Sequence, residues 1–319
     1  MREMRAAIVR DFNAPPRYGD FVEPLPGDGE LLVTVSAVGL TQLIRGQATG
    51  RHYSGGTELG FVPGNDGVGR LGDGRRVYFA TVRPPFGSMA EYSLTRAEAI
   101  TPLPDGVDDV LAAAIANPGM SSSAALMHRA RIQPGETVLI NGATGVAGAL
   151  AVAIAKYLGA GRVIGTGRDL DGLSASGADV TISLSQPEAD LVCDFKAALA
   201  TGVDIVLDYL CGRPAELLLE AVAGKGAPEG ERRVRYVQIG SVAGGSITLN
   251  SQVLRSSGLE LMGSGLGSVA RKDLLTSIAS VFDGVVTTGL KVETEVAALS
   301  EVEEAWTRDT GRRRLVIVP

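Results

Sequence analysis

The sequence is poor in the residues that build covalent staples and in charge of one sign. Among 319 residues there are two cysteines, Cys193 and Cys211, and two histidines, His52 and His128. So few thiols exclude a disulfide scaffold and suit a reducing cytosol. The net charge of −6 lacks the basic excess of a nucleic-acid binder. The one basic cluster, Arg312-Arg313-Arg314, lies beside the apparent last strand "LVIVP" and reads as a solvated strand end, an arginine near a cofactor being the alternative. No run reaches the roughly 18 uninterrupted apolar residues of a membrane span, since "GALAVAIAKYLGA" is interrupted at Lys156. The opening "MREMRAAIVRDF" has charges on both sides of a short apolar run, a strand pattern without a signal-peptide core. These absences point to a cytoplasmic protein with no membrane and no nucleic-acid partner.

What is present divides into regions of different texture. Up to about Asn117 the chain is rich in Gly, Pro and short β-like runs such as "ELLVTVSAV" and "RRVYFA", punctuated by Gly-Asp and Asp-Gly pairs that suit tight turns. From about Thr137 to Gly263 buried strand patterns alternate with helical ones, the signature of a doubly wound parallel sheet. "RVIGTG" in this stretch precedes what reads as a short polar connection. From about Arg271 follow a helix, a strand near "ETEVAAL", a helix around Trp306 and a closing strand. This length suits two domains, the tail returning to the first. Trp306 reads as a packed core aromatic.

The stretch "VLINGATGVAG", residues 138–148, carries the first chemical signal. A glycine cluster that follows a strand and opens a helix is where a dinucleotide pyrophosphate binds. Free amides at the helix start and the helix dipole attract the phosphates. Thr144, Gly145 and Val146 then lie at the phosphates: Gly145 admits close backbone approach, and Gly148 lets the helix pack on the strand. One βα unit on, the strand "RVIGTGRD" has no acid at its end where an NAD site keeps one for the ribose. It has Arg168 instead, a guanidinium suited to a 2′-phosphate. These residues predict NADPH as the cofactor, although Asp169 next door is able to pair with Arg168 or accept from a ribose.

In order, the segments "GELLVTVSAVGL", "FVPGNDGVGRL", "GRRVYF", "GSMAEY", "VLINGATGVAGALAVAIAKYLGA", "VDIVLDYL", "YVQIGS" and "LELMGSG" resemble the medium-chain dehydrogenase/reductase superfamily, in its zinc-free, zeta-crystallin-like quinone oxidoreductase branch. The resemblance implies an α/β fold: a Rossmann domain with a doubly wound parallel sheet, plus a GroES-like, mainly antiparallel β domain. It divides the chain into a GroES-like substrate or catalytic domain at 1–118, a Rossmann NADPH-binding domain at 119–267 and a C-terminal return to the catalytic domain at 268–319. It adds Ser121, Ser122, Asp208, Gly240, Ser241 and Ser264 to the cofactor contacts. It also implies a homodimer paired through the Rossmann edge strand at "GLELMGSG".

Departures from the zinc enzymes of the superfamily narrow the chemistry. Where those have Cys and a His–Glu pair, this chain has Thr41 and Asn65-Asp66, and the four-cysteine loop is missing. A catalytic zinc takes three ligands from Cys, His and carboxylate; no such set is visible, so no metal is expected. Thr41 and Asn65, in the lost ligand positions, should line the substrate pocket. Without a Lewis acid to polarise a carbonyl, reduction of a conjugated acceptor becomes attractive, because hydrogen-bond donors alone stabilise the oxygen that gains charge. In zinc-free relatives a tyrosine on the loop before a "GNEG"-like segment serves as that donor; here it is Tyr53, with an aromatic lid as its alternative role, and His52 beside it reads as a surface residue. The function expected is an NADPH-dependent, zinc-independent oxidoreductase transferring hydride to a quinone or an enone-type C=C. An enoyl thioester reductase and a non-catalytic NADPH-binding protein are the alternatives.

Overall fold

The computed structural model describes residues 2–50, 58–81, 83–222 and 232–319. Two units divide the chain, Met1–Asn117 with Ile278–Pro319, and Pro118–Ser277. Each has its own sheet and its own apolar core.

The first unit opens with β1 (Glu3–Ile8) and β2 (Arg17–Val22), an antiparallel pair. Then come β3 (Glu30–Gly39), α1 (Gln42–Ala48), β4 (Asp66–Leu71), β5 (Arg76–Ala80), β6 (Tyr92–Arg96) and β7 (Ile100–Pro102). β3 pairs antiparallel with both β4 and β6, with a register shift between Val35 and Ala37, and β5 bridges β4 and β7. Helix α2 (Asp109–Ala124) continues as a π-helical turn over Ala125–Ala130. This run is long and apolar enough to cross a membrane by length and composition, but 67% of its apolar window is buried within the protein.

The second unit is a chain of βα units: β8 (Thr137–Asn141), α3 (Val146–Tyr157), β9 (Arg162–Gly167), α4 (Leu170–Ala175), β10 (Val180–Ser183), α5 (Glu188–Ala200), β11 (Ile205–Asp208), α6 (Gly212–Val222), β12 (Arg233–Gln238), α7 (Ser251–Arg255) and β13 (Gly258–Gly263). All five pairings are parallel, in the order β10-β9-β8-β11-β12-β13. Strands covered on both faces lose the polar alternation of half-exposed ones, hence "TVLIN", "RVIGTG" and "IVLD". The order reverses between β8 and β11, and in open α/β sheets ligands bind outside the carboxyl ends of the strands at such a switch point. The polar connection expected after "RVIGTG" is instead α4, whose amino end is capped by Asp169.

α8 (Arg271–Thr288) leads from the second unit back into the first, and β14 (Thr294–Ala298), α9 (Val302–Thr307) and β15 (Arg314–Val318) complete the tail. β14 and β15 pair in parallel, and β15 joins β3 antiparallel, so the last strands finish a seven-stranded sheet begun by the first hundred residues. Trp306 is 7% exposed, within the core of this unit, with the Arg45 guanidinium over its ring at 5.6 Å.

Candidate nucleotide site and substrate-pocket residues

At the carboxyl end of β8 the chain turns through Gly142, whose φ of +100° is costly for any residue with a side chain. Gly145 is the N-cap of α3 and offers no side-chain cap. The first-turn N–H groups of Val146, Ala147 and Gly148 have no acceptor among the described residues, the arrangement from which helix starts bind anions. A Cβ on Gly145 would meet nothing within 4 Å, whereas one on Gly148 would fall 1.9 Å from the Gly142 carbonyl oxygen. Gly145 thus keeps space open in front of the helix, and Gly148 allows helix and turn to touch. Thr144 is half-buried, and a Cβ on Gly167 would meet its methyl group at 2.4 Å.

A buried polar network holds this turn from beneath. The Thr166 hydroxyl donates to Asn141 Oδ1 at 2.7 Å and accepts the Gly142 N–H at 3.2 Å. Asn141 Nδ2 donates to Asp208 Oδ1 at 2.9 Å, joining β8 to β11 across the switch point. Asp208 also accepts from the Tyr236 hydroxyl at 2.8 Å and from the N–H groups of Leu210 at 2.9 Å and Cys211 at 3.2 Å. Asp208 is fully buried, and both its oxygens are taken by protein donors. Burial and the neighbouring Asp208 carboxylate push the Tyr236 phenol well above its ordinary range. Asn141, Thr166 and Tyr236 escaped notice in the sequence. Polar residues at the ends of apolar strands were the signal for the first two; Tyr236 gave none.

Arg168 follows β9 and is exposed, and its guanidinium makes no ion pair among the described residues. Asp169 caps α4 by accepting the Gly172 N–H at 3.0 Å. Gly240 packs on the Tyr209 backbone, where a Cβ would lie 2.5 Å from a carbonyl oxygen. Ser241 beside it is exposed, and the Ser264 N–H donates to the Gln238 carbonyl at 2.9 Å. The Ser121 and Ser122 hydroxyls donate to the Pro118 and Gly119 carbonyls at 2.8 and 3.1 Å. Beside them the Tyr209 hydroxyl is buried without a well-formed hydrogen bond. Burial pushes its phenol up to about 12, moderated by the two serine hydroxyls.

The residues expected to line a substrate pocket belong to the first unit. Thr41 is buried and its hydroxyl accepts the Ile44 N–H at 3.2 Å, so it caps α1. Asn65 is half-buried and its carbonyl accepts the Thr81 N–H at 2.8 Å, its side-chain amide making no hydrogen bond among the described residues. Asp66 is buried and accepts from the Tyr78 hydroxyl at 3.0 Å, while its Oδ1 has no partner among the described residues. Burial pushes this carboxyl up to about 6, against the opposing effects of the Tyr78 hydrogen bond and the Arg314 charge. Arg314, expected at a solvated strand end, is half-buried, donates to the Leu40 carbonyl at 3.1 Å and supplies charge to Asp66. Among the described residues no group of three His, Cys, Asp or Glu side chains is placed to hold a metal. His52 and Tyr53 lie outside the described residues.

A doubly wound Rossmann sheet together with a mainly antiparallel GroES-like sheet defines the medium-chain dehydrogenase/reductase fold. No family model matches the chain. A protein of Emericella nidulans named "Probable NADPH-dependent quinone reductase tdiC" is 29% identical over 99% of this chain and 100% of its own length. The quinone oxidoreductase of Rattus norvegicus is 30% identical, covering 66% of this chain and 67% of its own. Among solved structures, the quinone oxidoreductase of Pseudomonas syringae matches 100% of both chains with a TM-score of 0.78 and 25% identity. That of Thermus thermophilus, solved also with NADPH, matches 99% of this chain and 100% of its own with a TM-score of 0.80 and 24% identity. The chain belongs to the quinone oxidoreductase branch of that superfamily, the zinc-independent one.

Proposed function

We propose that this chain is an NADPH-dependent, zinc-independent oxidoreductase that delivers a hydride to a quinone or an enone-type activated C=C. The observation that carries the reading is the uncapped start of α3 behind Gly145, at the switch point of the sheet, with Arg168, unpaired among the described residues, one βα unit away. The donors fit a dinucleotide: free first-turn amides for a pyrophosphate, a Gly145 with nothing in front of it, and a guanidinium for a 2′-phosphate.

Val146, Ala147 and Gly148 would hold the pyrophosphate through their N–H groups, and Arg168 the 2′-phosphate. When bound, NADPH supplies the hydride. Thr166, Asn141 and Asp208 are positioning residues, because their hydrogen bonds fix the turn that presents those amides. Hydride arriving at a conjugated acceptor leaves negative charge on a carbonyl oxygen, which needs donors. The Asn65 amide is one such group, and by family resemblance the Tyr53 hydroxyl is the other, donating the proton that completes the reduction. Thr41 is a wall residue of that pocket.

The GroES-like part takes 1–118 and 268–319 in this reading, and the Rossmann part 119–267. β13 is an edge strand with Leu261 41% exposed, which supports a homodimer paired two-fold along it. Light scattering on a sizing column that returns a monomer at micromolar concentration refutes the dimer. The low thiol count supports a cytoplasmic location.

The activity is tested by following NADPH oxidation with a panel of 1,4-quinones and enones in the presence of a metal chelator. Steady chelator-insensitive consumption with at least one acceptor is expected. NADPH binding without turnover on any acceptor overturns the enzymatic reading and leaves a nucleotide-binding protein.

A further inference from the structure

A cavity of about 630 Å³ lies where β8, β11 and β12 begin, at the opposite end of the second unit's sheet from the glycine turn. Its lining is out of keeping with a chain of net charge −6. Arg129, Arg131, Arg232, Arg233 and Arg235 face it, against the carboxylates of Glu136 and Asp204.

Tracing each guanidinium shows which charges are met. Arg235, its side chain 6% exposed, pairs with Glu136 and donates to the Ala130 carbonyl at 2.7 Å. Arg232 donates to Asp204 at 3.1 Å, and Arg233 to Glu260 at 2.6 Å. Arg129 has no carboxylate among the described residues and donates only to the carbonyls of Gly263 at 2.8 Å and Ser268 at 3.4 Å. Arg131 is exposed, and its guanidinium has no partner among the described residues. Two further polar atoms of the lining, Arg235 Nε and His128 Nε2, are buried without a hydrogen bond among the described residues. Among the described residues two positive charges thus stand without a carboxylate around one space. Buried polar groups in folded proteins are nearly all satisfied by protein or by ordered water, so the Arg235 Nε and His128 Nε2 atoms leave room on this wall for a water or a ligand acceptor.

We propose that this cavity binds a phosphorylated, hydrophilic small molecule such as a sugar phosphate, at a site separate from the nucleotide site. A phosphate dianion carries the charge that Arg129 and Arg131 leave unmatched, and guanidinium forks suit its oxygens. The volume far exceeds that of a lone ion, at ~30 Å³ for each displaced water, so there is room for an organic body. Met262 and Ala130 are the only carbon-rich side chains in the lining, which leaves a polar body as the match and argues against a flat apolar one.

Arg131 offers a clean test, since its φ of +55° lies in the left-handed region that glycine adopts without steric cost. Arg131→Gly removes the guanidinium while favouring the folded backbone. Calorimetric titration of the full chain with glucose 6-phosphate is expected to show saturable binding, with inorganic phosphate weaker and glucose silent. Arg131→Gly is expected to weaken it about tenfold or more with a melting temperature equal to or above that of the parent. Arg131→Lys should retain part of the affinity, and Arg168→Ala all of it. Unchanged affinity in Arg131→Gly, loss in Arg168→Ala, inorganic phosphate binding as tightly as the sugar phosphate, or no binding by the parent up to about 10 mM each overturns the proposal.

Discussion

Replacing Asp66 by Asn should change how the stability of the protein depends on pH, over a window that no other perturbed carboxylate among the described residues shares. Burial raises the Asp66 carboxyl from 3.8 to about 6 in the folded state, so folding favours its neutral form. The sign follows from linkage: the stabilisation is complete below the unfolded value and is lost as pH rises through the folded one. At 1.36 kcal/mol per unit the full effect is on the order of 3 kcal/mol, of which roughly half falls between pH 8 and pH 5. Asparagine keeps the shape and does not titrate. Its other consequence, Arg314 left without a counter-charge, is constant with pH and shifts the curve without changing its slope. The carboxylates of Glu30, Asp179, Glu188, Glu216 and Glu260 are held below their ordinary values. Their contributions are present above the unfolded pKa and lost only as pH falls below about 4, outside the window. Urea unfolding of parent and Asp66→Asn at half-unit steps from pH 5 to pH 8 measures the difference. The parent should gain on the order of 1 kcal/mol on the variant as pH falls across that range. Parallel stability curves would refute the buried, protonatable carboxyl.

Gly148→Ala places a Cβ 1.9 Å from a carbonyl oxygen that cannot move without its turn, and should cost about 1–3 kcal/mol or more in denaturant unfolding. Gly145→Ala enters open space at a φ of −78°, so stability should hold within about 0.5 kcal/mol while NADPH affinity, read by cofactor fluorescence, falls. Tyr236→Phe removes the 2.8 Å bond to the buried Asp208; stability should drop by about 1.5–3 kcal/mol, as measured by chemical denaturation.

Much of the scaffold was legible because its signals are local. "VLINGATGVAG" contains a strand, a turn and a helix start in eleven neighbouring residues, and the close packing at Gly148 follows from that order. Trp306 read as core for the same reason, an aromatic on a short helix before an apolar strand. α4 was missed because six residues give too little periodicity to distinguish a helix from a connection. The polar network was illegible on other grounds: Asn141 and Asp208 meet across 67 residues, and Thr166 and Asn141 across 25. Asp208, expected at the cofactor, lies beneath the turn with both oxygens engaged, and only the parallel pairing of β8 with β11 brings it there. The arginine-lined cavity gathers residues from the π-helical turn and from the starts of three strands. Asp66 owes its raised carboxyl to burial, and the Arg314 charge that opposes the shift is brought near it only by the last strand.

The central claim, that the turn before α3 and Arg168 together make an NADPH site, is tested most directly by cofactor preference. The measurement is the ratio of kcat/KM for NADPH to that for NADH, with one quinone acceptor, in the parent and in Arg168→Ala. A charge-assisted bond to the 2′-phosphate contributes about 1.5–3 kcal/mol, so the ratio should fall by roughly 10- to 150-fold in the variant, mostly through KM for NADPH. An unchanged ratio would contradict the account.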